Sequence, residues 1–123
     1  MIVDTSAVIA ILLQEVGWKQ LYQQAMESEN LSMSCGTLQE LLIVACRKGI
    51  LTEVNALLEH LDLDYVPVNQ ELAFKGLDLY QSYGKGSGHP AQLNYGDCFA
   101  VALAALLNQP LLYAGQDFQA AGC

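Results

Sequence analysis

The chain has 123 residues, 53% of them hydrophobic and 15% charged, with thirteen acids, five bases and a formal net charge of -8. This composition is that of a folded domain with a real core rather than a disordered tail, and it argues against a protein that binds polyanions by bulk attraction, which needs Lys and Arg on the contact face. No stretch approaches the ~18 uninterrupted apolar residues of a membrane span.

The opening "MIVDTSAVIAILL" is apolar but lacks a basic leader and carries Asp4 inside it, which argues against a signal peptide. It reads as a buried strand at about 1–4 and a helix from Ser6. Gly17 interrupts before an amphipathic helix, "WKQLYQQAMESE", with Trp18 expected in the core or lining a partner groove. "LSMS" at 31–34 is the next strand. "GTLQELLIVACRKG" is a helix closed by Gly49 after two bases that suit a C-terminus. "LTEVNALLEHL" is another helix, and "DYVPV" a strand that Pro67 demotes to an edge or a strand end. "NQELAFKGLDLYQSY" is helical with Asn69 as N-cap. The loop "GKGSGHPAQL" follows, then the apolar helix "NYGDCFAVALAALL", which Pro110 ends. "LLYAG" is the last strand and "QDFQAAGC" a short tail. Strands alternate with helices, so the expected fold is α/β: a parallel sheet of four to five strands sandwiched by helices, one domain over 1–123.

The four cysteines form no C-x-x-C pair, which leaves little room for a zinc site. Cys46 and Cys98 fall in apolar helical contexts and read as small core residues. Free thiols suit a reducing cytoplasm.

Four acids converge on one edge of such a sheet. Active sites of open parallel sheets lie outside the carboxyl ends of the strands. Asp4 ends the first strand, Glu40 is placed in the first turn of the helix after the second, and Asp97 opens the long apolar helix. Asp117 follows the last strand. Each has a bland alternative: Asp4 as an N-cap, Glu40 in a capping box with Thr37, Asp97 in the first turn after an Asn94 N-cap, and Asp117 as a turn acid. Together they would repel, and no Lys or Arg adjoins any of them in sequence. A hard divalent cation answers that repulsion: an all-oxygen ligand set suits Mg²⁺ or Mn²⁺, and the implied chemistry is phosphodiester hydrolysis.

"MIVDTSAVIAILL", "YGKGSGHPAQLNYGDCFAVALA" and "LLYAGQDF" resemble the PIN-domain ribonucleases, specifically the VapC-like toxins of bacterial toxin–antitoxin pairs. The resemblance implies a three-layer α/β/α fold, usually dimeric. It places Asp4, Glu40, Asp97 and Asp117 in an acidic metal-binding quartet, with Thr5, Ser6 and Asn94 in support. It also implies RNA cleavage with Mg²⁺ or Mn²⁺ and inhibition by a small antitoxin, which wraps the toxin with a helical tail and often blocks the site with a basic side chain. The chain departs from the family pattern in a loop one residue longer at "GKGSGHPAQ" and in Gln116, where an acid is common. A weakly catalytic member that acts by binding its partner is the alternative.

Other motifs carry less. "GKGSG" follows a helix, whereas a phosphate loop follows a strand. His89 reads as a loop residue and His60 as surface. Tyr80 and Tyr83 read as partial core rather than base-stacking groups. A phosphoacceptor of the receiver type would want an acid pair at the first strand and a late Lys, and neither is present.

Overall fold

Ile2–Val3 form the first strand, β1, and their side chains part to opposite faces of the sheet, Val3 into one apolar cluster and Ile2 into another. The computed structural model describes residues 1–123. After β1 come α1 (Thr5–Leu12), α2 (Trp18–Glu27), β2 (Ser32–Ser34), α3 (Cys35–Lys48), α4 (Leu51–Leu61) and β3 (Asp64–Val66). The chain continues through α5 (Gln70–Tyr83), α6 (Tyr95–Leu107), β4 (Leu111–Leu112) and a last turn of helix, α7 (Asp117–Ala120). The strands form a four-stranded sheet in the order β3-β2-β1-β4, every pairing parallel. Ile2 sits opposite Ser32 on one side and Leu111 on the other.

Strands this short cannot hold a sheet alone, so helices seal both faces. On one face Val3, Met33 and Leu112 meet Val8, Leu41, Val54 and Leu58 from α1, α3 and α4. On the other, Ile2 packs with Leu72, Ala102 and Leu103 from α5 and α6, while Leu93 and Phe118 join Val101 beside them. The result is the expected three-layer α/β/α sandwich. Pro67 does follow the edge strand β3 directly, where its missing N–H interrupts no ladder. No helix is long and apolar enough to cross a membrane.

Several local expectations give way. The helix read from Gly36 begins at Cys35, because the Ser34 hydroxyl accepts the Gly36 N–H (3.1 Å) and caps it. The tail is not featureless: Phe118 is buried and winds 117–120 into α7. Cys46 is exposed, because Leu41 and Ala45, four apart, take the buried stripe of α3 and Cys46 falls one step round from it. Cys98 is half-buried, and Trp18 lies half-buried outside the core clusters with Lys19 Nζ 5.9 Å from its ring. Tyr83 packs partly into the core, whereas Tyr80 is exposed and its hydroxyl donates to the Lys85 carbonyl (3.0 Å). His60 is a surface residue beside Tyr22, and His89 Nδ1 accepts the Ala91 N–H within its loop (3.1 Å).

Candidate functional site

The chain leaves β1 at Asp4, whose side chain caps α1: Oδ2 accepts from the Ser6 N–H (2.9 Å) and the Ser6 hydroxyl (2.7 Å). Asp4 is only 3% exposed, and its other oxygen, Oδ1, is buried with no hydrogen-bond partner. Ser6 Oγ also accepts the Ala114 N–H (3.0 Å), which ties the segment after β4 to the head of α1. The strands on either side of this point lead the chain in opposite directions through the sheet, β2 to one side of β1 and β4 to the other. That divergence opens a crevice at the carboxyl edge.

Glu40 arrives from α3, but not from its first turn as the sequence suggests. Since Ser34 caps the helix and Cys35 is its first residue, Glu40 falls in the second turn, and the first turn holds no acid. A capping box with Thr37 is therefore ruled out, and the buried Thr37 hydroxyl has no partner. Glu40 Oε1 instead accepts from the Thr5 hydroxyl of α1 (2.7 Å). Asp97 behaves as the motif suggested: Asn94 Oδ1 accepts the Asp97 N–H and Asp97 Oδ2 accepts the Asn94 N–H, both at 2.9 Å. This box leaves Asp97 Oδ1 with no hydrogen bond assigned to it.

Asp4, Thr5, Ser6, Glu40 and Asp97 line one cleft of about 390 Å³, and no Lys or Arg lines it. Glu15 lines it as well and was missed by sequence reasoning. Gln14, at φ 54°, reverses the chain after α1, and the Glu15 N–H returns to the Ala10 carbonyl (2.9 Å). "LLQEVG" signals a helix end but not the direction of that reversal. Asp117 is exposed at the start of α7, outside the cleft lining, and Asn94 is exposed at the rim as a cap. No three acidic, His or Cys side chains stand as close together as the ligands of one ion. The larger cavity, about 800 Å³, has no Asp or Glu in its lining.

The electrostatics follow from burial. Desolvation is the main reason the Asp97 carboxyl is pushed up to about 6; the charges of Asp4, Glu40 and Asp117 add to it, against the Asn94 N–H bond, which lowers it. Asp117 is thus near enough to be felt. Asp4 is also raised, by burial first and by Glu40 in addition, although its bonds from Ser6 oppose the shift. Negative charge gathered in a poorly solvated cleft, with a buried oxygen unpartnered and only oxygen donors present, fits a hard divalent cation.

The family model of the PIN domain matches residues 1–122. Ribonuclease VapC42 of Mycobacterium tuberculosis is 39% identical over 121 residues, which span 96% of this chain and 92% of that protein. VapC ribonuclease Mb0640 of Mycobacterium bovis is 36% identical over 123 residues, 97% of this chain and 92% of that protein. Among solved structures, a toxin–antitoxin complex from Klebsiella pneumoniae superposes with a TM-score of 0.71, covering 95% of this chain and 88% of the matched one. Its 19% identity makes that a likeness of fold.

Proposed function

The chain belongs to the PIN-domain family, and from that premise we propose that it is the ribonuclease toxin of a VapBC-type toxin–antitoxin pair, hydrolysing RNA phosphodiesters with Mg²⁺ or Mn²⁺. The observation that carries the metal is Asp4: a carboxylate 3% exposed, with one oxygen unpartnered, in a cleft with three further acids and no Lys or Arg. Asp4, Glu40 and Asp97 would hold the ion, with Asp117 at the rim. When bound, the ion supplies a Lewis acid that makes a water acidic enough to attack at neutral pH and offsets charge on the phosphoryl group.

The chain's own residues prepare that site. Ser6 fixes the Asp4 rotamer through Oδ2 and leaves Oδ1 available. Thr5 fixes Glu40 through Oε1, and the Asn94 box fixes Asp97 through Oδ2. Burial pushes the Asp97 carboxyl up to about 6, so Asp97 would have to hold its charged form, against that shift, to serve as a ligand. With five bases in the whole chain, RNA gains little from bulk attraction, so a bound cation would have to supply the positive charge toward a phosphate.

A cognate antitoxin is the proposed partner, and we read the chain as a cytoplasmic homodimer. The names of its relatives, the free thiols and the exposed apolar side chains of α5, Phe74 and Leu77, support this reading.

A thermal melt with and without Mn²⁺, run beside a single-stranded RNA cleavage assay, tests the function. At a hundredfold excess over its dissociation constant the ion should add about 2.7 kcal/mol, a shift of several degrees. Asp97→Asn should abolish both the shift and cleavage while keeping the cap. A melting temperature unmoved by millimolar Mn²⁺, with RNA intact, would refute the proposal. The net charge of -8 favours one other reading, a weak catalyst that acts by binding its partner. A Mn²⁺ shift with RNA left uncut is its signature.

A further inference from the structure

Helices α3 and α6 exchange side chains across two glycines. A Cβ on Gly36 of α3 would collide with the ring of Phe99 from α6, and a Cβ on Gly96 of α6 would collide with the carboxylate of Glu40 from α3. Neither glycine needs its backbone freedom, since neither has a positive φ. What each supplies is space. The two contacts differ in kind: Phe99 is a packed ring that cannot swing away cheaply, whereas Glu40 Oε2 is the far end of a flexible chain. Glu40 is consequently held from two sides, Oε1 by the Thr5 hydroxyl at 2.7 Å and Oε2 against the bare backbone of Gly96, one residue before Asp97.

From this geometry we infer that Gly96 is a positioning residue: its missing side chain seats Glu40 beside Asp97 and so sets the spacing of the acids in the cleft. This rests on the ribonuclease reading only for its consequence in metal binding. Gly96→Ala should fold, because alanine is the better helix former and only a mobile carboxylate stands in its way. The fold survives, but Glu40 leaves its seat and the Thr5 bond with it. Gly36→Ala, where a ring must move, should lower the melting temperature instead.

The test has two arms. In divalent-free buffer, Thr5→Val, which deletes the bond to Glu40, should lower the melting temperature of the wild-type background and do so much less in Gly96→Ala. Equal losses in both backgrounds would mean that Glu40 never moved, and would overturn the inference whatever the metal does. In the second arm, Mn²⁺ is titrated calorimetrically. Gly96→Ala should weaken binding about tenfold or more, the range set by loss of a ligand's orienting contact. Glu40→Asp, one methylene shorter, should weaken binding alone yet restore part of it in the Gly96→Ala background, because the retracted carboxylate clears the new methyl. Loss without that rescue would assign Gly96 to helix packing and overturn the inference. Wild-type protein that binds no Mn²⁺ would overturn the ribonuclease reading, and the first arm would still decide the role of Gly96. A Gly96→Ala chain that unfolds should be recovered by Glu40→Asp if Glu40 is the obstacle; no recovery counts against it.

Discussion

At the scale of single residues, the cleft holds charge at a cost that pH should reveal. Asp97 is raised from 3.8 to about 6, mainly by burial. Its ionisation is therefore harder in the folded chain than in the unfolded one. The stability this contributes is whole below pH 3.8 and is lost as pH rises through about 6. Asp4, raised for the same reason, works in the same direction. Metal-free protein should thus melt higher near pH 5 than near pH 8, by on the order of 1 kcal/mol from Asp97 once solvent screening at the half-open cleft is allowed for. Asp97→Asn keeps an oxygen for the Asn94 N–H but cannot ionise, so it should flatten the profile and melt above wild type at pH 8. Melts in chelator at the two pH values check this. A wild type more stable at pH 8 would contradict the burial of these acids. Asp97 also shows why its role was hard to read from sequence: it is both a cap and a member of the acid cluster. The cap uses only one oxygen of the side chain, Oδ2, and leaves Oδ1 for the proposed role.

At the scale of elements, what could be read from sequence was periodicity and punctuation; what could not was register. The alternation of strands and helices, the Asn94–Asp97 box, the Asn69 cap and the edge position of β3 all depend on local chemistry visible in the chain. The start of α3 does not. Thr37 and Glu40 have the spacing of a capping box, but Ser34 stands three residues earlier and captures the Gly36 N–H first. The same three-residue shift turns Glu40 from a cap into a cleft residue. Glu15 escaped notice because its place depends on a left-handed turn at Gln14, a residue with no strong preference for one. Exposure of Cys46 depends on which face of α3 meets the sheet, which composition alone does not fix. The capping question has a direct test. Ser34→Ala should cost about 1 kcal/mol as a lost N-cap. Glu40→Ala removes no cap; it deletes the bond from Thr5 but relieves repulsion on Asp4 and Asp97, so in divalent-free buffer it should cost less than Ser34→Ala. Urea melts of both variants are the measurement. An equal fall in both would return Glu40 to a purely structural role.

At the scale of the whole molecule, charge and apolar surface pull in opposite directions. Phe74 is 62% exposed and Leu77 51%, three residues apart on one face of α5, and Tyr95 beside them is 78% exposed. Val68, Leu72 and Phe99 continue this surface into an apolar groove of about 500 Å³ between α5 and α6. A second copy of the chain is the occupant we expect there, since a small monomer rarely leaves so contiguous an apolar patch in water. Each copy brings a net charge of -8, so association must overcome like-charge repulsion. Salt screens that repulsion while leaving apolar burial intact, and a dimer of this kind should therefore tighten as ionic strength rises, opposite to one held by ion pairs. Light scattering at micromolar concentration should give twice the chain mass of 13.4 kDa, with a larger dimer fraction at high salt. Phe74→Glu puts a charge on this exposed face of α5 and should yield monomers without lowering the melting temperature of the fold, because the side chain already faces solvent in the single chain. A wild type that scatters as a monomer at every salt concentration would end the dimer proposal. A dimer that survives Phe74→Glu would move the interface to another face.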